Sequence, residues 1–122
     1  PRIPIWVVGA WPKEKSMQRT LRYDGLLPNV MNEQGQHQPA TPEAIREIAA
    51  YVKTHRAATT PFDIVVEGKT PGDDQDAARS IVQPWMDAGA TWWIEALWGA
   101  PDQPIDLDGV LRRIKQGPPR AG

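Results

Sequence analysis

Few side chains in this sequence are equipped for chemistry, and most of those stand at the ends of short apolar runs. Glu67 follows Phe62-Asp63-Ile64-Val65-Val66, and Glu95 lies within Trp92-Trp93-Ile94-Glu95-Ala96-Leu97. Side chains alternate along a strand, so Asp63, Val65 and Glu67 share one face, as do Trp93, Glu95 and Leu97. Both faces of each run are apolar, so the pattern leaves open which face is turned inward. An inward Glu95 is a buried acid beside aromatics, with a raised pKa suited to general acid/base work. An outward Glu95 pairs with an arginine such as Arg79 or Arg112. Glu95 is the candidate catalytic residue, with that ion pair as its structural alternative.

A second group suits an anion. Gly9-Ala10-Trp11 ends an apolar run and leads into a segment bearing Lys13, Lys15, Ser16 and Arg19. A glycine lets backbone approach a ligand, and free amides at a helix start favour phosphate. The alternative is a plain tight turn before a solvated basic helix. Trp98, at the end of its run, is placed to wall a pocket, Trp93 reads as a core or pocket residue, and Trp92 reads as core. His37 stands alone in a polar loop with Asn29 and Asn32, and His55 sits near a helix C-terminus, where the dipole favours a cation. Neither has a partner at metal-ligand spacing, so no metal is expected. Pro1 carries a secondary amine of the kind tautomerases use as a base, but Pro4 interrupts the regular first strand such a site needs.

Composition narrows the classes. The chain has 122 residues, 40% hydrophobic and 24% charged, which fits one globular domain. A net charge of -1 argues against nucleic acid as a main partner. Without cysteine there are no disulfides, thiolate metal sites or thiol nucleophiles. No apolar run approaches the roughly 20 residues of a membrane span, and no signal peptide is visible. A soluble, cytoplasmic protein is expected.

The elements that must position these residues alternate. Ile5 to Val8 reads as a buried strand, Pro12 to Tyr23 as a helix, and Leu26-Leu27 as a brief strand ended by Pro28. Residues 29 to 40 form a long polar loop. Thr41-Pro42-Glu43 starts a helix whose apolar face is Ile45, Ile48, Ala49 and Val52. Phe62 to Val66 is the next strand. Asp73-Asp74 opens a helix striped with Ala78, Ile81, Val82 and Trp85, kinked by Pro84 and closed by Gly89. Ala90 to Leu97 reads as the fourth strand, and Leu107, Val110, Leu111 and Ile114 as the last amphipathic helix. Four strand-helix units predict an α/β fold with parallel strands. The domain spans 1–117, and 118–122 reads as a frayed tail.

Three stretches carry a likeness: PIWVVGAWP at 4–12 with RYDGLLP at 22–28, FDIVVEGKTPGDD at 62–74, and DAGATWWIEALWG at 87–99. Together they resemble the C-terminal half of the luciferase-like monooxygenases, flavin-dependent (β/α)8 barrels. The resemblance implies strands five to eight of such a barrel, hence half of a TIM barrel. A complete one needs eight strands and about 250 residues. It also implies FMN, or alternatively a deazaflavin, together with a small-molecule substrate. The phosphate-holding role falls on Gly9, Ala10, Trp11 and Ser16, and Trp98 joins them as a cofactor-pocket candidate. The chemistry implied is hydride transfer or oxygen activation at the flavin. Four units leave strand edges and an inner face uncovered, so the remainder of a barrel or a second copy, as a homodimer, is the expected partner. The alternative is a non-catalytic half-barrel that self-associates and binds flavin weakly or not at all.

Overall fold

The computed structural model describes residues 2–99 and 101–120. Strands and helices alternate: β1 (Trp6–Trp11), α1 (Glu14–Thr20), β2 (Gly25–Val30), α2 (Pro42–His55), β3 (Asp63–Gly68), α3 (Gln75–Ala88), β4 (Trp92–Glu95) and α4 (Leu107–Gln116). The strands form one parallel sheet in the order β1-β2-β3-β4. Four βα units are therefore present, as the alternating pattern predicts.

Local chemistry explains the helix boundaries. The Thr41 hydroxyl accepts from the Ala44 amide at 3.2 Å, with Pro42 at the first helical position. Asp74 accepts from the Ala77 amide and Asp106 from the Gly109 amide, each at 2.9 Å. Gly89 closes α3 in the left-handed region at φ 114°, where a side chain is disfavoured. Pro84 lies inside α3, which continues to Ala88.

Three strands outrun their sequence boundaries, β3 by reaching Gly68. β1 continues through Gly9 to Trp11, and β2 continues through Pro28 to Val30. Hydrogen bonds on a parallel strand alternate between its two neighbours. The Met31 amide donates to the Trp11 carbonyl, so by alternation position 28 faces β3 rather than β1. Proline therefore costs β2 nothing on the β1 side, where Gly9 pairs with Pro28. On the β3 side pairing ends after Gly25↔Asp63 and Leu26↔Ile64, where an amide at 28 would next donate to the Val65 carbonyl. There β2 and β3 part. β4 is shorter than its apolar run, although Thr91 and Ala96 still donate to the Ile64 and Gly68 carbonyls at its two ends.

All four helices lie on one face of the sheet. Met17 and Leu21 of α1, Ile45, Ile48 and Val52 of α2, and Ala88 of α3 pack with Leu26, Ile64 and Val66. Met17, Leu26, Ile45 and Ile48 are fully buried, each contributing about 1.5–3 kcal/mol by leaving water. Trp85 of α3 meets Trp93 at 6.3 Å between ring centroids. The opposite face carries Trp6, Val8, Leu27, Val65, Trp92 and Ile94, and no helix covers it. Val8 is 57% exposed and Trp92 52%, so Trp92 is not the core residue its sequence suggests: the strand turns it to the face opposite the helices.

α1 also dresses the free edge of β1. The Ala10 amide donates to the Ser16 hydroxyl, and Arg19 donates to the Val8 carbonyl, both at 2.9 Å. The upper part of that edge is thereby withdrawn from pairing with another strand.

Candidate functional site

The carboxyl ends of β2 and β3 frame the most developed crevice. Where these strands part, a cavity of about 470 Å³ opens. Its apolar walls include Val8, Leu27, Val65 and Ile94, and its polar groups are Asn29, His37 and Glu67. The loop after β2 roofs it. That loop doubles back through a Met31↔His37 bridge, with the Gln38 amide donating to the Val30 carbonyl at 2.9 Å. Asn32 tightens the turn by accepting from the Gln36 amide at 2.9 Å. His37 is carried back over the strand ends, where its Nδ1 is hydrogen-bonded to Asn29 Oδ1. An amide oxygen only accepts, so the ring donates through Nδ1, and in the neutral imidazole Nε2 is then the acceptor.

Read from sequence, residues 29–40 are a structureless polar loop and His37 an exposed lone histidine; the histidine is exposed, but the loop is ordered by its own bridge. What places His37 at the crevice is the doubling back of the loop. The one local signal is Asn32 three residues before Gly35, the turn at which the loop reverses.

Glu95 lies on the helix side of β4, away from the bare face. Its Oε2 is 3.2 Å from the Arg113 guanidinium of α4. Its two oxygens also accept from the Thr70 amide at 2.6 Å and the Thr70 hydroxyl at 2.7 Å, and from the Trp93 indole at 3.2 Å. Burial pushes its carboxyl up, but the Thr70 and Trp93 hydrogen bonds and the Arg113 charge outweigh that and hold it below the ordinary value. Such a carboxylate stays ionised and is committed to holding α4. The ion-pair alternative describes it, with Arg113 in place of Arg79 or Arg112.

The residues assigned to a flavin phosphate gather at the end of β1, but most are occupied. A Cβ on Gly9 would fall 2.5 Å from Leu26 Cδ1 and 2.6 Å from Thr20 Cγ2, so the glycine admits α1 to the sheet. Trp11 packs edge-on against Tyr51 of α2 at 5.5 Å. The Ala10 amide is bound to Ser16. The donors left for an anion include the Ser16 hydroxyl proton, the uncapped first-turn amides of α1 and the exposed Lys13 and Lys15. Trp98 is 75% exposed beyond β4, and its indole donates to Glu67 at 3.3 Å, which puts it at the rim of the crevice rather than beside Ser16. β1 and β4 are the two edge strands, so the sheet does not bring Trp98 to the β1 group.

His55 plays its expected structural part, stacked on Tyr51 at 4.1 Å with Nδ1 2.9 Å from the Tyr51 carbonyl. Pro1 lies outside the described residues. Residues 118–120 run back along α3, where Arg79 donates to the Arg120 carbonyl and the Arg120 amide donates to Gln75, both at 3.3 Å. Ala121 and Gly122, the rest of the expected tail, lie outside the described residues. Among the described residues no cluster of three or more His, Cys, Asp or Glu could hold a metal ion, and no helix is long and apolar enough to cross a membrane.

Fold and site together define a singly wound parallel α/β protein, helices on one face, with a crevice at the carboxyl ends of its central strands. Compared with known proteins, the chain matches no family model, no curated protein and no solved structure.

Proposed function

We propose that this chain forms half of a (β/α)8 barrel and belongs to a luciferase-like flavin-dependent oxidoreductase or monooxygenase acting on a small molecule. One observation supports the barrel above all: strands in chain order, every helix on one face, and a bare apolar second face. In a closed barrel that second face is the packed interior. Four further βα units would cover it, from other parts of a longer polypeptide or from a second copy in a homodimer. A closing strand would pair along β1 at Trp6, below the Val8 carbonyl and Ala10 amide that Arg19 and Ser16 occupy. A cytoplasmic setting accompanies this reading.

The cofactor, FMN or alternatively a deazaflavin, rests on the sequence resemblance. The geometry of β1 narrows which residues would hold its phosphate: Ser16 through its hydroxyl proton, with Lys13 and Lys15 as neighbouring cations. Gly9 and Trp11 would serve packing. When bound, a flavin supplies the hydride-transfer or oxygen chemistry, and the chain's part is to bind it and exclude water.

A second reading, a non-catalytic half-barrel that self-associates, is favoured by the capture of the Ala10 amide by Ser16, which removes a donor a phosphate would use. Size-exclusion chromatography with absorbance detection, run with and without FMN or a deazaflavin, separates the two. Flavin absorbance co-eluting with the protein supports the cofactor reading. A colourless, tight dimer at every flavin concentration overturns it and leaves the self-associating half-barrel.

A further inference from the structure

We propose that the crevice between β2 and β3 is a binding site for an uncharged, hydroxyl-bearing ring compound, recognised through His37. The site follows from the splayed sheet itself and does not depend on flavin.

The argument begins at Pro28. It denies the sheet the amide that would carry the β2–β3 ladder forward, and the strands separate at their carboxyl ends. Singly wound βα folds of the barrel type gather their ligand-binding groups at the carboxyl ends of parallel strands. The gap here holds about 470 Å³, within the roughly 300–1,000 Å³ of small-molecule sites. It is lined from both sheet faces, by Val8, Leu27 and Val65 on one and Val66 and Trp85 on the other. A flat apolar ring system suits walls of that kind.

The polar groups select the substituent. With its ring oriented by Asn29, a neutral His37 offers Nε2 as an acceptor for a ligand hydroxyl. Glu67 also lines the crevice, and its Oε1 accepts from the Trp98 indole at 3.3 Å. Its charge opposes an anionic ligand, so a phenol or alcohol is favoured over a carboxylate of the same shape. The Met31↔His37 bridge holds the histidine in place before any ligand arrives, which limits the ordering cost of binding.

The test uses the full chain free of flavin and three probes of one shape: 2-naphthol, 2-methoxynaphthalene and 2-naphthoate. Binding is read by probe fluorescence, and the His37 ring by the nitrogen resonances of its imidazole. We expect 2-naphthol to bind, to shift His37 Nε2, and to lose roughly 3–10-fold in affinity when its hydroxyl is methylated, the effect of one net hydrogen bond. His37→Phe should bring 2-naphthol down to the level of the methyl ether. Leu27→Trp, which fills the crevice from its wall, should abolish binding of both. Circular dichroism confirms that each variant is folded. The proposal is overturned if 2-naphthol fails to bind, if the three probes bind alike, or if Leu27→Trp leaves binding unchanged. Because no flavin is present, loss of this site and loss of the cofactor reading are separate results.

Discussion

Arg113 of α4 and Glu95 of β4 approach to 3.2 Å, and this contact ties the last helix to the last strand. The guanidinium also donates to the Thr70 hydroxyl at 2.9 Å and to the Gly117 carbonyl, so one side chain joins the end of β4, the loop after β3 and the end of α4. Leu107, Leu111 and Ile114 are largely exposed, so α4 has little other than this network to hold it. Arg113→Met should destabilise the chain by about 1–3 kcal/mol, the cost of leaving half-buried acceptors unpaired. Urea unfolding measures the loss. Hydrogen exchange should localise it to the amides of Val110 to Gln116.

The same network sets an acid limit. Glu95 is held below its ordinary value of 4.5, so the unfolded chain takes up this proton more readily than the native one. Its contribution is fully present above about pH 4.5 and is lost as pH falls through the depressed native value. Urea midpoints of the parent should fall faster below that pH than those of Glu95→Gln. Parallel curves would remove Glu95 from the acid transition.

Gly9 is a packing glycine. Gly9→Val places methyl groups where Leu26 and Thr20 already lie, at a cost of about 1–3 kcal/mol. A thermal melt should show the same drop with and without FMN. A drop seen only with FMN would make Gly9 a ligand-contact residue instead.

At the end of α3, Gly89→Ala meets two obstacles. The backbone is left-handed at φ 114°, and the new Cβ would fall 2.9 Å from the Cβ of Ala49. The expected loss is about 1 kcal/mol from conformation, plus the cost of the clash with α2. Asp74→Ala, which removes the cap at the other end of the helix, should cost about 1 kcal/mol. The two sites are far apart on the helix, so denaturation of the double variant should give the sum.

Val8→Lys tests the bare face. Val8 is exposed, so the folded chain should change by no more than about 0.5 kcal/mol. If the face is buried against another four units, the same substitution breaks the association. Sedimentation velocity should show a shift to monomer. An unchanged sedimentation profile would mean that the face is not an interface in this chain.

Much of the fold was legible from local chemistry. Thr41-Pro42, Asp74 and Gly89 mark helix ends because a capping oxygen or a left-handed glycine works within a few residues of chain. The alternation of apolar runs with amphipathic stretches predicts the four βα units. Pro28 was misleading as a strand end, because a proline disables only one side of a parallel strand and sequence does not say which neighbour is on that side. Asp24-Gly25 has the composition of a turn, yet Gly25 is the first residue of β2. In the sheet its missing Cβ makes room for the Trp6 ring, whose indole donates to Asp63 at 3.1 Å.

What the sequence determined by itself is the order of elements, their caps and the residues sharing each strand face. A period of two groups Trp93 with Glu95, and Val65 with Glu67, without saying which group meets a helix. The tertiary structure decided that. Trp93 and Glu95 turn toward α3 and α4, while Val65 and Glu67 turn toward the crevice. The tertiary structure also decided the site, because His37 and Glu67 are thirty residues apart in the chain. They come to one cavity only because the β2–β3 ladder stops and the intervening loop folds back over the gap.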